Sequence, residues 1–294
     1  MMKKLSFFLI SSAVFASLFF VIGVLISRAN EERKIETRKN LFVSYGLRSD
    51  GKSPFVSLPP FLAHNSARAR LGESLFYDKS FTRTPKRVCS YCHALNEGGT
   101  DCKIRNGVMT RPVYNAVFST VFMHDGSVTN FNDAVRMMVE GKNFCGGMPI
   151  SNIVEKLSKD PKTVRKFQAC YEDGLTEKNF LDAFSQFGRT LITSNTKFDF
   201  YFSGSTNTYN ASEIRGIEIF KARNCISCHN GPALGGRKIY EGKKVSPLRG
   251  LSFRKTYLQQ RPTSELSTVL TFMPEGDVEN TEERISLIDF LKTM

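Results

Sequence analysis

The stretch CSYCH, Cys89 to His93, returns once along the chain as CISCH, Cys225 to His229. These two copies hold four of the seven cysteines and two of the four histidines. Cys-x-x-Cys-His is the attachment pattern of a c-type haem. Its two thiols form thioethers to one porphyrin edge, and the adjacent histidine ligates the iron. The sequence therefore predicts two covalently bound haem c groups, attached at Cys89, Cys92, Cys225 and Cys228, with His93 and His229 as proximal iron ligands.

Two other uses of paired cysteines fit the sequence less well. The two pairs of a four-cysteine zinc site usually lie about 15 to 20 residues apart, whereas these lie roughly 130 residues apart. Zinc also gives no reason for a histidine directly after each pair. A thioredoxin-like redox pair belongs beside a βαβ pattern, and neither motif has one.

The first residues indicate export. Lys3 and Lys4 precede an uncharged apolar run over residues 5–26, and Ser27-Arg28-Ala29 has the small-x-small pattern of a cleavage site. The run is also long enough to span a bilayer with the lysines inside. We therefore interpret residues 1–27 as a signal peptide or an N-terminal anchor in the inner membrane, with an uncleaved anchor slightly favoured. Both interpretations place the remaining chain in the periplasm, where c-type haem is attached.

The chain is strongly basic, with a formal net charge of +13. Nucleic acid is not expected as a partner outside the cytoplasm. Two explanations stay open: solvated lysines that keep the protein soluble, and a surface for an acidic redox partner.

Helical patterns dominate after a polar and proline-rich lead-in. Apolar residues recur at helical spacing from Phe131 to Val139, and further helices are expected to start at Asp160-Pro161, Thr176 and Asn210 or Ser212. Two more are expected, one from Glu265 through Met273 and one from Thr281. The fold class predicted is all-α with two cytochrome c-like haem domains: residues 28–60 as a tether, 61–205 as the first haem domain and 206–294 as the second. The chain has 25 Phe and no Trp, so phenylalanine is expected to line the haem pockets.

From about Leu71 onward the chain resembles the bacterial di-haem cytochrome c peroxidases and their MauG-type relatives. The segments that carry the resemblance are LGESLFYD (71–78), LNEGGTD (95–101), RPVYNAVF (111–118), MHDGS (123–127), GIEIFKARNCISCHNGPALGG (216–236) and SPLRGL (246–251). The resemblance implies a divergent member that reduces hydrogen peroxide to water. Electrons from a small cytochrome c or cupredoxin would enter at the second haem and pass to the first.

The resemblance also implies site residues and assembly. The spacing from Tyr257 carries the family's distal methionine ligand of the second haem onto Met273. Because Met273 also lies on an apolar stripe, a core role is the alternative. Family members are often dimers, so a homodimer is implied. The segment from Phe253 to Tyr257 lacks the threonine and proline that help to hold the family's calcium ion, so no calcium site of that kind is expected.

The surroundings of the first haem depart from the family pattern. The distal histidine is missing, Gly147 stands where the catalytic glutamate is found, and Ala134 lies near the active-site glutamine position. His124, which replaces a tryptophan, is a candidate catalytic base, with Asp125 as a candidate to fix its tautomer. The alternative for His124 is a core or inter-haem residue bonded to a propionate. Glu140 is a weaker candidate base, more typical of a solvated helix end.

The departures leave two further functions open. One is MauG-like, in which peroxide drives oxidation of a partner protein or an organic substrate. The other is a non-catalytic di-haem electron carrier or peroxide sensor. Cys102, Cys145 and Cys170 remain as an odd set that permits at most one disulfide, with buried thiols as the alternative.

Overall fold

A computed structural model describes residues 54–82, 84, 88–105, 107–145, 147–257, 263–274, 276 and 278–294, together with 23, 24 and 27. Contacts divide the chain into Met1–Leu47 and Arg48–Met294, and every element below lies in the second part. The described residues are mostly helical with very little sheet, as predicted. Most of the expected leader and most of the expected tether lie outside them. Within the described residues, no helix has the length and apolar character needed to cross a membrane.

The elements follow in chain order. The helices are α1 Ser66–Phe76, α2 Cys89–Cys92, α3 Phe131–Glu140, α4 Ile150–Ser158, α5 Pro161–Gln168, α6 Glu177–Gly188, α7 Lys197–Phe202, α8 Ala211–Ala222, α9 Leu266–Leu270 and α10 Thr281–Leu291. Two antiparallel hairpins pair β1 Ile104–Arg105 with β2 Val108–Met109 and β3 Ile239–Tyr240 with β4 Lys243–Lys244. Short 3-10 turns lie at Leu95–Glu97, Ala116–Phe118, Thr206–Thr208, Cys225–Ser227 and Leu251–Phe253.

The first hydrophobic core forms around α1 and α6. Gly72 lets these helices approach closely, because a Cβ there would collide with the backbone of Ala183 and the side chain of Phe187. Helices α3 and α4 pack against α6, and α5 packs against α4. The buried residues of this core include Leu71, Leu75, Phe76, Phe81, Ile150, Ile153, Leu157, Phe167, Phe180, Phe184 and Phe187. Each such side chain stabilises the fold by about 1.5–3 kcal/mol on burial.

The second core forms around α8 and α10 by the same device. A Cβ on Gly216 would collide with the backbone carbonyl of Ser286 and with Phe290. Aromatic rings fill the space beside this pair: Phe220 lies 5.5 Å from Phe290 between ring centroids, and Phe55 lies 5.9 Å from Phe220. Phenylalanine thus contributes to both cores.

A buried ion pair holds the segment before α1 against the second core. Arg249 Nη1 lies 2.6 Å from Asp199 Oδ1. Arg249 also donates to the carbonyls of Val56 and Pro232, and the Leu58 N–H donates to Asp199 Oδ1 at 2.7 Å. Residues 55–58, at the end of the predicted tether, are therefore buried.

Local signals placed most helix starts correctly. Asp160 caps α5 with Pro161 at its first position, Thr176 caps α6, and Asn210 rather than Ser212 caps α8 in a capping box. The helix predicted from Glu265 through Met273 is shorter than expected, because α9 ends at Leu270 and Met273 lies in a following turn. Pro274 disfavours helical backbone in Met273, the residue before it, so the helix does not run through Met273.

Candidate functional site

Both cysteine–histidine motifs adopt a tight helical turn. The first forms α2, and the second forms the 3-10 turn Cys225–Ser227. In each, the histidine N–H bonds the carbonyl of the first cysteine at 2.9 Å: His93 to Cys89, and His229 to Cys225. The four motif cysteines are half-buried and form no disulfide in the described part of the chain. This backbone presents two thiols one turn apart beside an imidazole, the arrangement that haem c attachment requires.

The two imidazoles are oriented in the same way. His93 Nδ1 lies 3.3 Å from the carbonyl of Gly99, and His229 Nδ1 lies 3.2 Å from the carbonyl of Leu234. With Nδ1 donating, Nε2 is the nitrogen left to ligate a metal. Burial lowers the pKa of both histidines below the ordinary value. The rings are therefore held neutral, as a metal ligand must be.

A matching segment fixes each of these carbonyls. The Val113 N–H also donates to the Gly99 carbonyl, and the Leu248 N–H also donates to the Leu234 carbonyl, each at 3.1 Å. Two residues earlier in each segment, the backbone of Arg111 acts to raise the pKa of His93 and that of Ser246 acts to raise the pKa of His229, against the larger effect of burial. The chain thus builds the same histidine support twice.

Asn115 anchors the first of these segments. Its side-chain oxygen accepts from the Thr193 N–H at 2.9 Å, and its amide donates to Thr193 Oγ1 at 2.8 Å. Its backbone N–H donates to the Leu191 carbonyl. Asn115 has a positive φ of 62°, a conformation that asparagine tolerates better than most residues. The segment that carries Arg111 is therefore fixed to the chain just after α6.

Arg111 links the two supports. Its Nη1 donates to Ser246 Oγ at 3.2 Å, and its Nη2 donates to the Lys244 carbonyl at 3.1 Å. Nη2 also lies 3.4 Å from His124 Nδ1. Arg111 Nε is buried and has no hydrogen-bond partner among the described residues. A buried donor without an acceptor is costly, which indicates a missing acceptor at this position.

Two further cations lie near Arg111. Burial lowers the pKa of Arg254 to about 10 and that of Lys244 to about 7, and the charge of Arg111 further lowers the Lys244 pKa. The pKa of Arg111 itself falls to about 10, from burial and then from the charge of Arg254. Within the described part of the chain no carboxylate pairs with any of the three. This cluster, Arg111, Lys244 and Arg254, is suited to bind carboxylates from outside the protein.

These features fit haem c. The motif thiols provide the attachment points, the Nε2 atoms of two neutral histidines provide iron ligands, and the three cations suit the porphyrin carboxylates. The unpartnered Arg111 Nε offers a donor to such a carboxylate.

His124 and Asp125 each make defined hydrogen bonds. Besides the Arg111 contact, the His124 carbonyl accepts the Lys244 N–H at 2.7 Å. Asp125 is exposed and accepts from the Ser127 N–H at 3.0 Å. Hydrogen bonds from Ser127 lower the pKa of the Asp125 carboxyl. His124 Nδ1 therefore faces the Arg111 guanidinium, and the Asp125 carboxylate accepts hydrogen bonds from Ser127. A catalytic role for either residue stays a prediction.

The remaining candidates near the first motif have defined positions. Glu140 Oε1 accepts from the Ile150 N–H at 2.9 Å and from Arg136 at 3.1 Å, which ties the end of α3 to the start of α4. Gly147 lies in the connecting loop with φ of 71°. Cys145 is buried there, and its thiol hydrogen-bonds Cys89, an interaction that raises the Cys89 pKa. Cys145 thus contacts a motif cysteine, and none of the three cysteines outside the motifs forms a disulfide in the described residues.

Met273 is half-buried in the turn after α9, whose Leu266 and Leu270 pack into the second core. Its role as an iron ligand stays a prediction.

The sequence did not single out Arg111, Lys244, Arg254 or the Cys145 contact. One signal was available: Arg111 puts a charge into the otherwise mostly apolar stretch RPVYNAVF. Its partners lie more than 130 positions further along, at Lys244 and Ser246.

The family model of the di-haem cytochrome c peroxidases matches residues 66–207. Over these residues the chain resembles a divergent member of the di-haem cytochrome c peroxidase and MauG family.

Individual relatives of this di-haem family are distant. Cytochrome c peroxidase Ccp of Escherichia coli K12 is 30% identical over 204 residues, which is 63% of this chain and 42% of that protein. The chain therefore spans less than half of that relative's length. Cytochrome c551 peroxidase of Nitrosomonas europaea is 26% identical over 294 residues, covering 86% of this chain and 87% of the relative.

A solved structure shows the same fold. It is the crystal structure of a MauG-like protein associated with microbial copper homeostasis, similar with a TM-score of 0.67 at 16% identity. The match covers 80% of this chain and 94% of that one. The fold of that structure thus extends over most of the chain.

Proposed function

We propose that this protein is a di-haem c-type oxidoreductase that reduces hydrogen peroxide to water. Cys89, Cys92 and His93 hold the first haem, where peroxide reacts, within residues 61–205. Cys225, Cys228 and His229 hold the second within residues 206–294, with Met273 as its distal ligand. When bound, haem supplies redox-active iron at each position.

The observation that carries this proposal is the duplicated histidine support. Each imidazole is held through Nδ1 by a carbonyl that a second backbone N–H also fixes, at His93 and at His229. Such a fixed hydrogen bond sets the tautomer and raises the basicity of the ligand nitrogen. Two matched metal ligands within one chain are what an electron relay between two irons needs.

Proton transfer at the first haem falls to His124 in this proposal. Peroxide reduction takes up two electrons and two protons and yields two waters, so a group must move protons to the leaving oxygen. Glu140 is engaged at the start of α4, which favours His124 over it. Because Arg111 faces His124 Nδ1, proton uptake at that nitrogen requires the guanidinium to turn away.

The proposed partners follow from charge and family. The net charge of +13 suits an acidic cytochrome c or cupredoxin as the electron donor. Export to the periplasm, with or without an anchor in the inner membrane, and assembly as a homodimer belong to the same proposal.

The test is turnover by the purified holoenzyme. Reduced small cytochromes or cupredoxins are added with hydrogen peroxide, and donor oxidation and peroxide loss are followed together. We expect two donor proteins oxidised per peroxide consumed. Peroxide that persists beside a donor shown to reduce the second haem would refute the proposal.

One observation favours the MauG-like alternative. The family's carboxylate is absent at Gly147, and Cys145 is buried near the first motif, so the chemistry at that haem is altered. This alternative requires peroxide consumption without a reduced donor and an oxidised side chain on a partner protein or an oxidised organic substrate. A carrier or sensor requires a first haem that binds neither cyanide nor peroxide in any redox state.

A further inference from the structure

A strongly basic surface lies on two consecutive helices of the first core. Over residues 155–166, which run from α4 into α5, the chain carries five cations and two carboxylates. All five cations are exposed. We call them the basic face: Lys156, Lys159, Lys162, Arg165 and Lys166. Haem attachment and the proposed peroxide chemistry use none of these side chains.

Packing holds three of the cations on the outer side of α5. Phe167 is fully buried in the first core, and its ring stacks on Tyr171 with the centroids 6.1 Å apart. Residues three and four positions apart share one side of a helix. Lys162, Arg165 and Lys166 have this spacing and are exposed, so they form one cationic side on a helix that the core holds in place.

Helix α4 extends the basic face. Ile153 and Leu157 are buried in the first core, whereas Lys156 and Lys159 are exposed. The face therefore continues across the turn between α4 and α5, which pack against each other. A further contact ties α5 to α1, because Lys166 Nζ donates to Ser74 Oγ at 3.4 Å.

The two carboxylates do not neutralise the basic face. Glu155 lies 3.1 Å from Lys159, and both side chains are exposed. The Asp160 carboxylate caps α5, accepting from the backbone N–H groups of Lys162 and Thr163 at 3.1 Å each. Within the described residues, Lys159 is the one cation of the face that forms an ion pair. The surface therefore keeps a net positive charge.

The composition of the basic face favours a layer of anionic headgroups over a protein partner. A protein interface needs an apolar or aromatic centre, and the large apolar side chains that are exposed in the described residues all lie outside residues 150–168. A charged lipid surface attracts lysine and arginine without such a centre. Cys225 and Ile226 of the second motif pack against the other core, so a donor of electrons to the second haem is expected at another surface.

We propose that the basic face binds the anionic phospholipid headgroups of the inner membrane. This inference rests on the proposed export to the periplasm and on no step of peroxide reduction. Each lysine or arginine close to an anionic surface strengthens binding by about fivefold. Because the face has no large apolar side chain to insert, the contact is electrostatic and does not penetrate the bilayer.

The experiment uses the full-chain holoprotein in nanodiscs of phosphatidylcholine, or of an equal mixture of phosphatidylcholine and phosphatidylglycerol. If the N-terminal segment is cleaved, the same discs are added to the mature holoprotein. Lysines are acetylated briefly, and the modification of each is measured by peptide mass spectrometry. The variant is Lys162→Gln with Arg165→Gln, since glutamine suits a helix as well as lysine and arginine do. The matched control is Lys238→Gln with Lys292→Gln, which removes two exposed cations outside the basic face.

In the wild-type protein, acetylation of Lys156 and Lys166 should fall about fivefold or more in anionic discs relative to neutral discs. Acetylation of Lys238 and Lys292 should be the same in both. About 1 M salt, at which the Debye length is about 3 Å, should remove the protection. The double variant should bind anionic discs about 30-fold more weakly and lose the protection, and the control variant should keep it.

Equal acetylation in the two kinds of disc would overturn the inference, as would protection that persists in the double variant. Equal protection of Lys238 and Lys292 would also overturn it, because it would show general adsorption of a basic protein. Protection by an acidic cytochrome, with none from anionic discs, would assign the face to a protein partner instead.

Failure of the proposed function appears in a separate measurement. Peroxide turnover with a soluble donor is followed without discs, and the double variant should match the wild-type protein. Peroxide left unreduced by the wild-type protein would refute the proposed function and would leave the acetylation result unchanged. Turnover without protection in anionic discs would overturn this inference alone.

Discussion

Arg249 Nη1 lies 2.6 Å from Asp199 Oδ1, and both side chains are buried. The pair joins three parts of the chain, since Arg249 donates to Val56 and Pro232, and Asp199 accepts from Leu58. Pro232 follows the second haem motif by three positions. The ion pair therefore fixes the loop behind His229 as well as the segment before α1.

Replacing Asp199 should destabilise the protein strongly. Asp199→Ala leaves the Arg249 guanidinium buried without its counter-charge, and we expect the free energy of unfolding to fall by about 3–5 kcal/mol. Urea denaturation of the holoenzyme measures it. The control is Glu283→Ala, whose partner Arg215 is exposed, with an expected loss of about 0.2–1 kcal/mol. Equal losses in the two variants would show that the buried pair stabilises the protein no more than an exposed pair does.

Glu140 should prove structural rather than catalytic. Glu140→Ala removes the acceptor for the Ile150 N–H at the start of α4, and we expect a loss of about 1 kcal/mol in stability. The pH profile of peroxide turnover should keep its shape. Glu155→Ala is the control, since its exposed pair with Lys159 contributes less than about 0.5 kcal/mol. If one side of the pH profile disappeared in Glu140→Ala, Glu140 would be the group that donates or accepts the proton, and the prediction would be wrong.

Lys244 should make the stability of the haem-free chain increase with pH. Its pKa is about 7 when folded, against 10.5 for an ordinary lysine. Between these two pKa values the folded chain binds fewer protons at this site than the unfolded chain. The free energy of unfolding therefore rises with pH from about 7 to 10.5 and is lowest below pH 7.

The measurement compares urea denaturation of wild type and Lys244→Met as pH increases. The variant should lack this slope, which amounts to at most about 1.4 kcal/mol per pH unit for one proton. The difference between the two proteins reports on Lys244 alone, because both retain Arg111 and His124. In the holoenzyme, carboxylates beside Lys244 should restore its pKa and remove the difference. If the free energy of unfolding had the same pH slope in haem-free wild type and Lys244→Met, the account would be contradicted.

Met273 should be visible in the spectrum of the second haem. Met273→Ala should abolish any methionine–iron charge-transfer band and lower the potential of that haem, because thioether ligation raises it. Met137→Ala is the control, since Met137 is exposed on α3. An unchanged band in Met273→Ala would remove this residue from the ligand set.

Sequence reasoning succeeded where the signal is local. The caps at Asp160, Thr176 and Asn210 act on backbone groups within three residues, and the haem motifs are contained within five. The predicted length of the helix through Met273 was wrong, because α9 ends at Leu270. The apolar pattern continues to Met273 in the sequence, although Pro274 disfavours helical backbone there.

Distance along the chain explains what the sequence could not show. Arg111 and Ser246 are 135 positions apart, and Asp199 and Leu58 are 141 apart. No periodicity connects such residues, since folding alone sets their distance. The contact between Cys145 and Cys89 is of the same kind, and an odd set of cysteines indicates nothing about which thiol lies near a haem motif.

The central claim is that both motifs carry covalent haem, with His93 and His229 as matched ligands. The most direct measurement is the pyridine haemochrome of purified, denatured protein, related to the amount of chain. The account predicts two haem equivalents per chain, and one after Cys225→Ala with Cys228→Ala. A value of one or none in the wild-type protein would contradict it.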